Sequence, residues 1–212
     1  MEHLVTSFTR KGSLEENEDD ILYKNINSDT ALFILADGMG GLSKGKEAAS
    51  IILNEIYDYI YKNIKNENKI KIIRESIKKA NEIIYENCKI KHCRMGAAVS
   101  VLLCCKKIAY FSWLGDVRIY KLRESKLIRL TNDHILDKSH SILTRSVNGR
   151  IFEKITPCEK TSIKAGDCFI LCSDGFYNEI TENDLLHYNI NQISNNIVSP
   201  KDDSSVITIT FK

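Results

Sequence analysis

Three apolar runs in this chain each lead into an aspartate with a glycine beside it. They read Ala31-Leu32-Phe33-Ile34-Leu35-Ala36-Asp37-Gly38, Tyr110-Phe111-Ser112-Trp113-Leu114-Gly115-Asp116 and Cys168-Phe169-Ile170-Leu171-Cys172-Ser173-Asp174-Gly175. A carboxylate at the mouth of a buried strand loses part of its hydration and needs a compensating partner, and a neighbouring glycine lets that partner approach the backbone. A hard divalent cation meets both needs, because Mg²⁺ and Mn²⁺ take carboxylate, carbonyl and water oxygens in octahedral arrangement. Two further acidic groups, Asn17-Glu18-Asp19-Asp20 and Asp202-Asp203, stand beside predicted strands. A lone Asp-Gly is ordinarily a turn. Three strand-terminal cases and two acidic clusters together favour a carboxylate site for more than one metal ion.

Other chemistries lack their residues. His3, His92, His134, His140 and His187 have no zinc-ligand spacing, and no GxSxG or Cys/His pattern offers a covalent nucleophile. Gly38-Met39-Gly40-Gly41 resembles a phosphate-cradling loop, but the GK[ST] ending of a P-loop is missing.

The elements that must position the acids follow from hydrophobic periodicity. Apolar or alternating runs of strand length occupy residues 4–9, 21–26, 31–36, 97–105, 108–113, 117–122, 126–131, 151–157, 167–173 and 205–211. Between the third and fourth lie two helical patterns. Ala48, Ile52, Ile56, Tyr59 and Ile60 share one face of the first, and Ile70, Ile73, Ile77, Ala80 and Ile84 one face of the second. Thr181 to His187 and Asn191 to Ile197 predict two shorter helices, the first opening at Thr181 with Glu182 and Asp184 in its first turn. Strands with helices grouped in pairs predict an α+β layered architecture rather than a doubly wound parallel sheet. Only two prolines and no Ser/Gly-rich linker interrupt the 212 residues, so a single domain spanning 1–212 is expected.

Thirty basic against 28 acidic residues leave a net charge of +2, which gives no reason to expect nucleic acid or an anionic membrane as partner. Seven cysteines, an odd number without a CxxC pair, read as free thiols in a reducing compartment. Met1-Glu2-His3 leads directly into a strand pattern, and no 18-residue apolar run occurs, so a cytoplasmic location is expected.

The order and wording of these motifs resemble the PPM (type 2C) metal-dependent serine/threonine protein phosphatases, particularly the compact bacterial type. Asn17-Glu18-Asp19 resembles that family's NED, and Leu35-Ala36-Asp37-Gly38-Met39-Gly40-Gly41 its ADGMGG. Met95-Gly96 resembles the start of MGTT with Ala97 and Ala98 for the threonines, and Gly115-Asp116-Val117-Arg118-Ile119-Tyr120 resembles GDSRxY. Leu130-Thr131-Asn132-Asp133-His134 is similar to LTxDH, Leu143-Thr144-Arg145 to the start of LTRALG, Leu171-Cys172-Ser173-Asp174-Gly175 to LLCSDG, and Asp202-Asp203 occupies the place of DN.

The resemblance implies a four-layer αββα sandwich, two packed antiparallel sheets flanked by helix pairs. It implies hydrolysis of phosphoserine or phosphothreonine by metal-activated water, without a covalent intermediate, on two ions of Mn²⁺ or Mg²⁺ and a third, weaker one. Asp37 would bridge two metals and Gly38 give its carbonyl. Asp174 and Asp202 would complete one shell, Glu18 and Asp19 reach the other through water, and Asp116 help hold the third. A phosphoprotein substrate and a cognate serine/threonine kinase are the implied partners, and a monomer the implied state.

Two departures stand out. Leu14 occupies the place of the arginine that grips the substrate phosphate, leaving Arg10 and Lys11 just upstream as the alternative cations. The flap, at about 135–142, is shortened. Both departures also suit a catalytically weak regulatory module that binds a phosphoprotein or kinase, and the same site could serve another phosphate ester.

Overall fold

The structure is a computed structural model that describes residues 2–13, 15–39, 44–136, 142–187, 192–193 and 197–212. The chain runs β1 (His3–Arg10), β2 (Asp20–Asn27), β3 (Thr30–Gly38), α1 (Gly45–Asn63), α2 (Lys69–Lys91), β4 (Ala97–Cys105), β5 (Ile108–Leu114), β6 (Arg118–Arg123), β7 (Lys126–Arg129), β8 (Cys158–Ser162), β9 (Cys168–Cys172), α3 (Asp174–Tyr177), α4 (Glu182–His187) and β10 (Ser204–Phe211). The strands form two five-stranded antiparallel sheets, ordered β1-β10-β9-β6-β7 and β2-β3-β4-β5-β8. The expected α+β sandwich of two antiparallel sheets flanked by helices is therefore the observed one.

Alternation along β3 explains both the layering and the place of Asp37. Leu32, Ile34 and Ala36 pack under the helices with Ile52, Ile56, Ile73 and Ile77. Phe33 and Leu35 face the opposite sheet, against Phe169, Leu171, Ile207 and Ile209. Side chains two apart share a face, so Asp37 continues the Phe33 and Leu35 row into the space between the sheets, where the strand ends. A third apolar layer covers the outer face of the β1 sheet, where Tyr120, Ile170 and Val206 meet Phe176 and Leu185.

The helix patterns form as expected. Asn68 caps α2 by accepting from the Lys71 N–H at 3.0 Å, and His92 ends it in left-handed conformation at φ 49°. At α4, Thr181 Oγ1 accepts from the Asp184 N–H at 3.2 Å, while Asp184 Oδ2 accepts from the Thr181 N–H at 2.8 Å. This is a reciprocal capping box with aspartate in the usual glutamate place. Of the second short helix predicted at 191–197, only 192–193 and 197 are described.

One strand expectation is corrected. Residues 151–157 form no strand; the eighth strand is Cys158–Ser162, paired with β5 from Ser112↔Cys158 to Ile108↔Ser162. Pairing begins just past Pro157, which has no N–H for a ladder. Being an edge strand, β8 carries Glu159 and Lys160 outward instead of the apolar alternation that suggested a strand upstream. Ile151 and Ile155 of the mistaken run stand 93% and 77% exposed.

Candidate functional site

Antiparallel pairing gathers the acids at one end of the sandwich. Asp20 pairs with Ala36, so the start of β2 lies beside the end of β3. Val206 and Arg118 both pair with Cys172, so the starts of β10 and β6 flank the end of β9. Glu18 and Asp19, Asp37, Asp116, Asp174 and Asp202 sit just at or beyond these strand ends. Asp37, Gly38, Asp116, Asp174 and Asp202 line one open cleft of about 720 Å³. Among the described residues the acids line this cleft without closing into a ready-made cage of three donors.

Hydrogen bonds lock the segments to one another. Ser173 Oγ donates to Asp19 Oδ2 at 2.8 Å and accepts from the Ser205 N–H at 2.9 Å, tying β2 to β9 and β10. The Gly38 N–H donates to the Glu18 carbonyl at 3.2 Å. A Cβ on Gly38 would stand 2.6 Å from the Gly45 carbonyl carbon, so the approach of the β3 end to the start of α1 requires glycine there.

The electrostatics are those of crowded, dehydrated carboxylates. Burial, with Asp203 and Asp174 nearby, pushes Asp19 up to about 8. Burial and the charge of Asp174 push Asp116 up to about 7. Asp37 keeps part of its surface open to the cleft but is enclosed on most sides, and this burial followed by Asp19 and Asp174 raises it well above the usual range. Asp174 is raised by burial and by the charge of Asp202. Burial and Asp203 raise Glu18. Glu18 Oε2 and Asp19 Oδ1 are buried with no hydrogen-bond partner among the described residues. Buried carboxylate oxygens without donors are costly, and this donor set of oxygens alone, with an excess of negative charge, suits Mg²⁺ or Mn²⁺.

Flanking motif residues hold Asp116 in place. Arg118 bonds Asp133 Oδ2 at 2.9 Å and lies over the Tyr177 ring at 3.4 Å, and the Tyr177 hydroxyl donates to the Asp116 carbonyl at 3.1 Å. The Gly115 N–H donates to His134 Nδ1 at 3.2 Å. Burial and Arg145 push His134 down to about 4, so it stays neutral and able to accept at neutral pH.

Asp203 plays a part that its charge alone did not suggest. Its Oδ1 accepts from the Gly12 N–H at 2.7 Å and its Oδ2 from the Glu18 N–H at 2.6 Å, so it clamps the turn between β1 and β2 to the start of β10. An amide can supply only one acceptor atom for these two donors. In saturating Mn²⁺, which offsets the repulsion among the acids, Asp203→Asn is expected to destabilise the fold by about 1–2 kcal/mol, read from urea unfolding at pH 7.

The two cations named for phosphate binding lie elsewhere. Arg10 donates to the Ile197 carbonyl and lies 5.1 Å from the Phe8 ring centroid, on the outer face of its sheet. Lys11 Nζ reaches the Glu15 carbonyl at 3.5 Å. Neither lines the cleft. Leu14 and residues 137–141, most of the segment expected to form a shortened flap, are outside the described residues. Among the described residues, the cations that do line the cleft are Arg94, Arg150 and Lys201, which sequence reasoning missed. Arg94 immediately precedes Met95-Gly96 and Arg150 follows Asn148-Gly149, so proximity to motifs was the only available signal.

The sequence pattern described as Protein phosphatase 2C matches residues 9–203. The chain belongs to that family. It is 26% identical over 208 residues to Protein phosphatase PhpP of Streptococcus pneumoniae, covering 85% of this chain and 82% of that protein. The S. agalactiae serine/threonine phosphatase superposes with a TM-score of 0.86 at 20% identity, covering 100% of both chains. The catalytic domain of serine threonine protein phosphatase PstP, a structure in complex with 2 manganese ions, superposes at 0.83 with 18% identity over 98% of this chain and 97% of that one. As a protein phosphatase 2C, this chain is a serine/threonine protein phosphatase of bacterial type.

Proposed function

We propose that this chain hydrolyses phosphoserine and phosphothreonine in proteins by direct attack of water, with residues 1–212 acting as one catalytic unit behind a shortened flap. The observation that carries the reading is the convergence of Asp37, Asp116, Asp174 and Asp202, from four separate chain segments, on one cleft. Bound Mn²⁺ or Mg²⁺ would lower the pKa of a water toward neutrality and neutralise phosphoryl oxygens. Asp37, the Gly38 carbonyl, Asp174 and Asp202 are the groups proposed to hold one ion, Asp37 with Glu18 and Asp19 a second, and Asp116 with Asp174 a third and weaker one.

Arg94 and Arg150 supply the positive charge that the chain lacks at Leu14. A guanidinium forms paired hydrogen bonds with phosphate and strengthens substrate binding without taking part in bond breaking. Arg150→Ala is therefore expected to raise KM for a phosphothreonine peptide by roughly tenfold while leaving kcat within about twofold, read from initial rates in saturating Mn²⁺.

The deciding experiment follows hydrolysis of an aryl phosphate and a phosphothreonine peptide, with and without Mn²⁺, by the natural chain and by Asp174→Asn. Metal-dependent turnover lost in the variant supports catalysis. Tight phosphopeptide binding with no turnover in any divalent metal would instead assign the chain to a regulatory, binding role.

A further inference from the structure

The metal cleft does not end at its arginines. Met39, Arg94, Asn148 and Arg150 line the cleft and also line a second depression, whose far side is formed by Tyr85, Gly149 and Ile151. Those last three residues in turn border a trough of about 910 Å³ between α2 and the segment 149–156. The three concavities share walls and form one continuous track along the surface. Its outer part is apolar at the floor and rim, where Phe152 packs against the core and Ile151 and Ile155 stand 93% and 77% exposed. Its charges balance, with Arg74, Lys78, Lys79 and Lys154 against Glu75, Glu82, Glu86 and Glu153.

Two almost fully exposed isoleucines within five residues are costly to leave in water and mark a surface meant to be covered. Continuity with the cleft identifies what covers it. We infer that the track seats the polypeptide flank of the phosphorylated substrate, with its phosphoresidue at the acids, its backbone passing Arg94 and Arg150, and apolar side chains of the flank against Ile151, Phe152 and Ile155. The balanced charge of the trough selects apolar rather than strongly acidic or basic flanks. This inference rests on the phosphatase reading for the position of the phosphoresidue, and it adds a basis for choosing among phosphoproteins.

Two phosphothreonine peptides test it, one with leucine and valine on either side of the phosphoresidue and one with serine and glycine in their place. Hydrolysis is measured in saturating Mn²⁺ for the natural chain and for Ile151→Ser with Ile155→Ser, exposed changes that leave the core untouched. The double variant is expected to raise KM for the apolar peptide about five- to tenfold, with kcat, the serine-glycine peptide and an aryl phosphate unchanged. Binding of the same labelled peptides to Asp37→Asn, followed by fluorescence anisotropy, reads the track without turnover. A tighter Kd for the apolar peptide there supports the track even if the natural chain hydrolyses nothing, in which case only the phosphatase reading falls. Equal Kd values for the two peptides, or a KM for the aryl phosphate that rises as much as that for the apolar peptide, would overturn the track.

Discussion

Asp37→Asn is expected to reduce Mn²⁺-dependent hydrolysis of an aryl phosphate by about three orders of magnitude or more, while the protein remains folded. Asp37 stands at the end of β3, which with β4 is buried along nearly its whole length, and its side chain continues the inward row of Phe33 and Leu35 into the cleft. It feels the charges of Asp19, Asp174, Asp116 and Asp202, so it is the acid most centrally placed among the candidate ligands. In its proposed place as a ligand shared by two cations it would contribute to both, and its loss would forfeit several kcal/mol of charge stabilisation, with about 1.4 kcal/mol for each tenfold in rate. The same change removes one member of a set of mutually repelling carboxylates. Metal-free Asp37→Asn is therefore expected to melt no lower than the natural protein, whereas a loss of activity caused by misfolding would lower its Tm. Rates at saturating Mn²⁺ together with Tm in chelator separate the two. Retention of more than about a tenth of the natural kcat would remove Asp37 from the reaction.

How far the sequence disclosed this arrangement depends on which property each residue expresses. The position of Asp37 was legible because a run buried on both faces reads as an unbroken apolar string and its end is visible as the first charge. Asp174 and Asp116 were legible for the same reason. That these ends lie together follows from antiparallel pairing, which a string of residues does not display but which the register places beyond doubt.

Direction was harder to read than position. Arg10 shares a strand face with Phe8, as period-two spacing requires, yet only packing reveals that this face covers the outer layer rather than the cleft. Asp203 shows a related limit, since a carboxylate next to a predicted ligand has the composition of a ligand but is consumed by two backbone N–H groups. Arg94 and Arg150 lie outside any strand, where no periodicity constrains the side chain, so their place on the cleft was accessible only from the fold. The misplaced eighth strand has the opposite origin. Ile151, Phe152 and Ile155 mimic a buried run because they are apolar, and their exposure is the reason they draw functional interest.

Stability should depend on pH and on metal together. An aspartate in an unfolded chain has a pKa of roughly 3.9, whereas Asp19 stands at about 8 and Asp116 at about 7 in the metal-free fold. Between these values the folded chain holds protons that the unfolded chain has released. Stability then falls as pH rises, beginning near the unfolded pKa and levelling off above the folded ones. Asp37 and Asp174, raised in the same direction, add to the slope. Asp167 does not oppose it in this window: despite its burial, the hydrogen bonds of Arg123 hold it below its ordinary value, and its contribution disappears only in acid. A divalent cation held among these carboxylates would replace the bound protons with charge that does not titrate. The Tm increase caused by Mn²⁺ over chelator is therefore expected to grow between pH 5 and pH 8, by on the order of ten degrees if the acids lose several kcal/mol of proton-linked stability over that range. Calorimetry at matched ionic strength would measure it, with Asp19→Asn expected to flatten the metal-free slope. An Mn²⁺-induced increase that is the same at pH 5 and pH 8 would mean that the ion does not bind among these carboxylates.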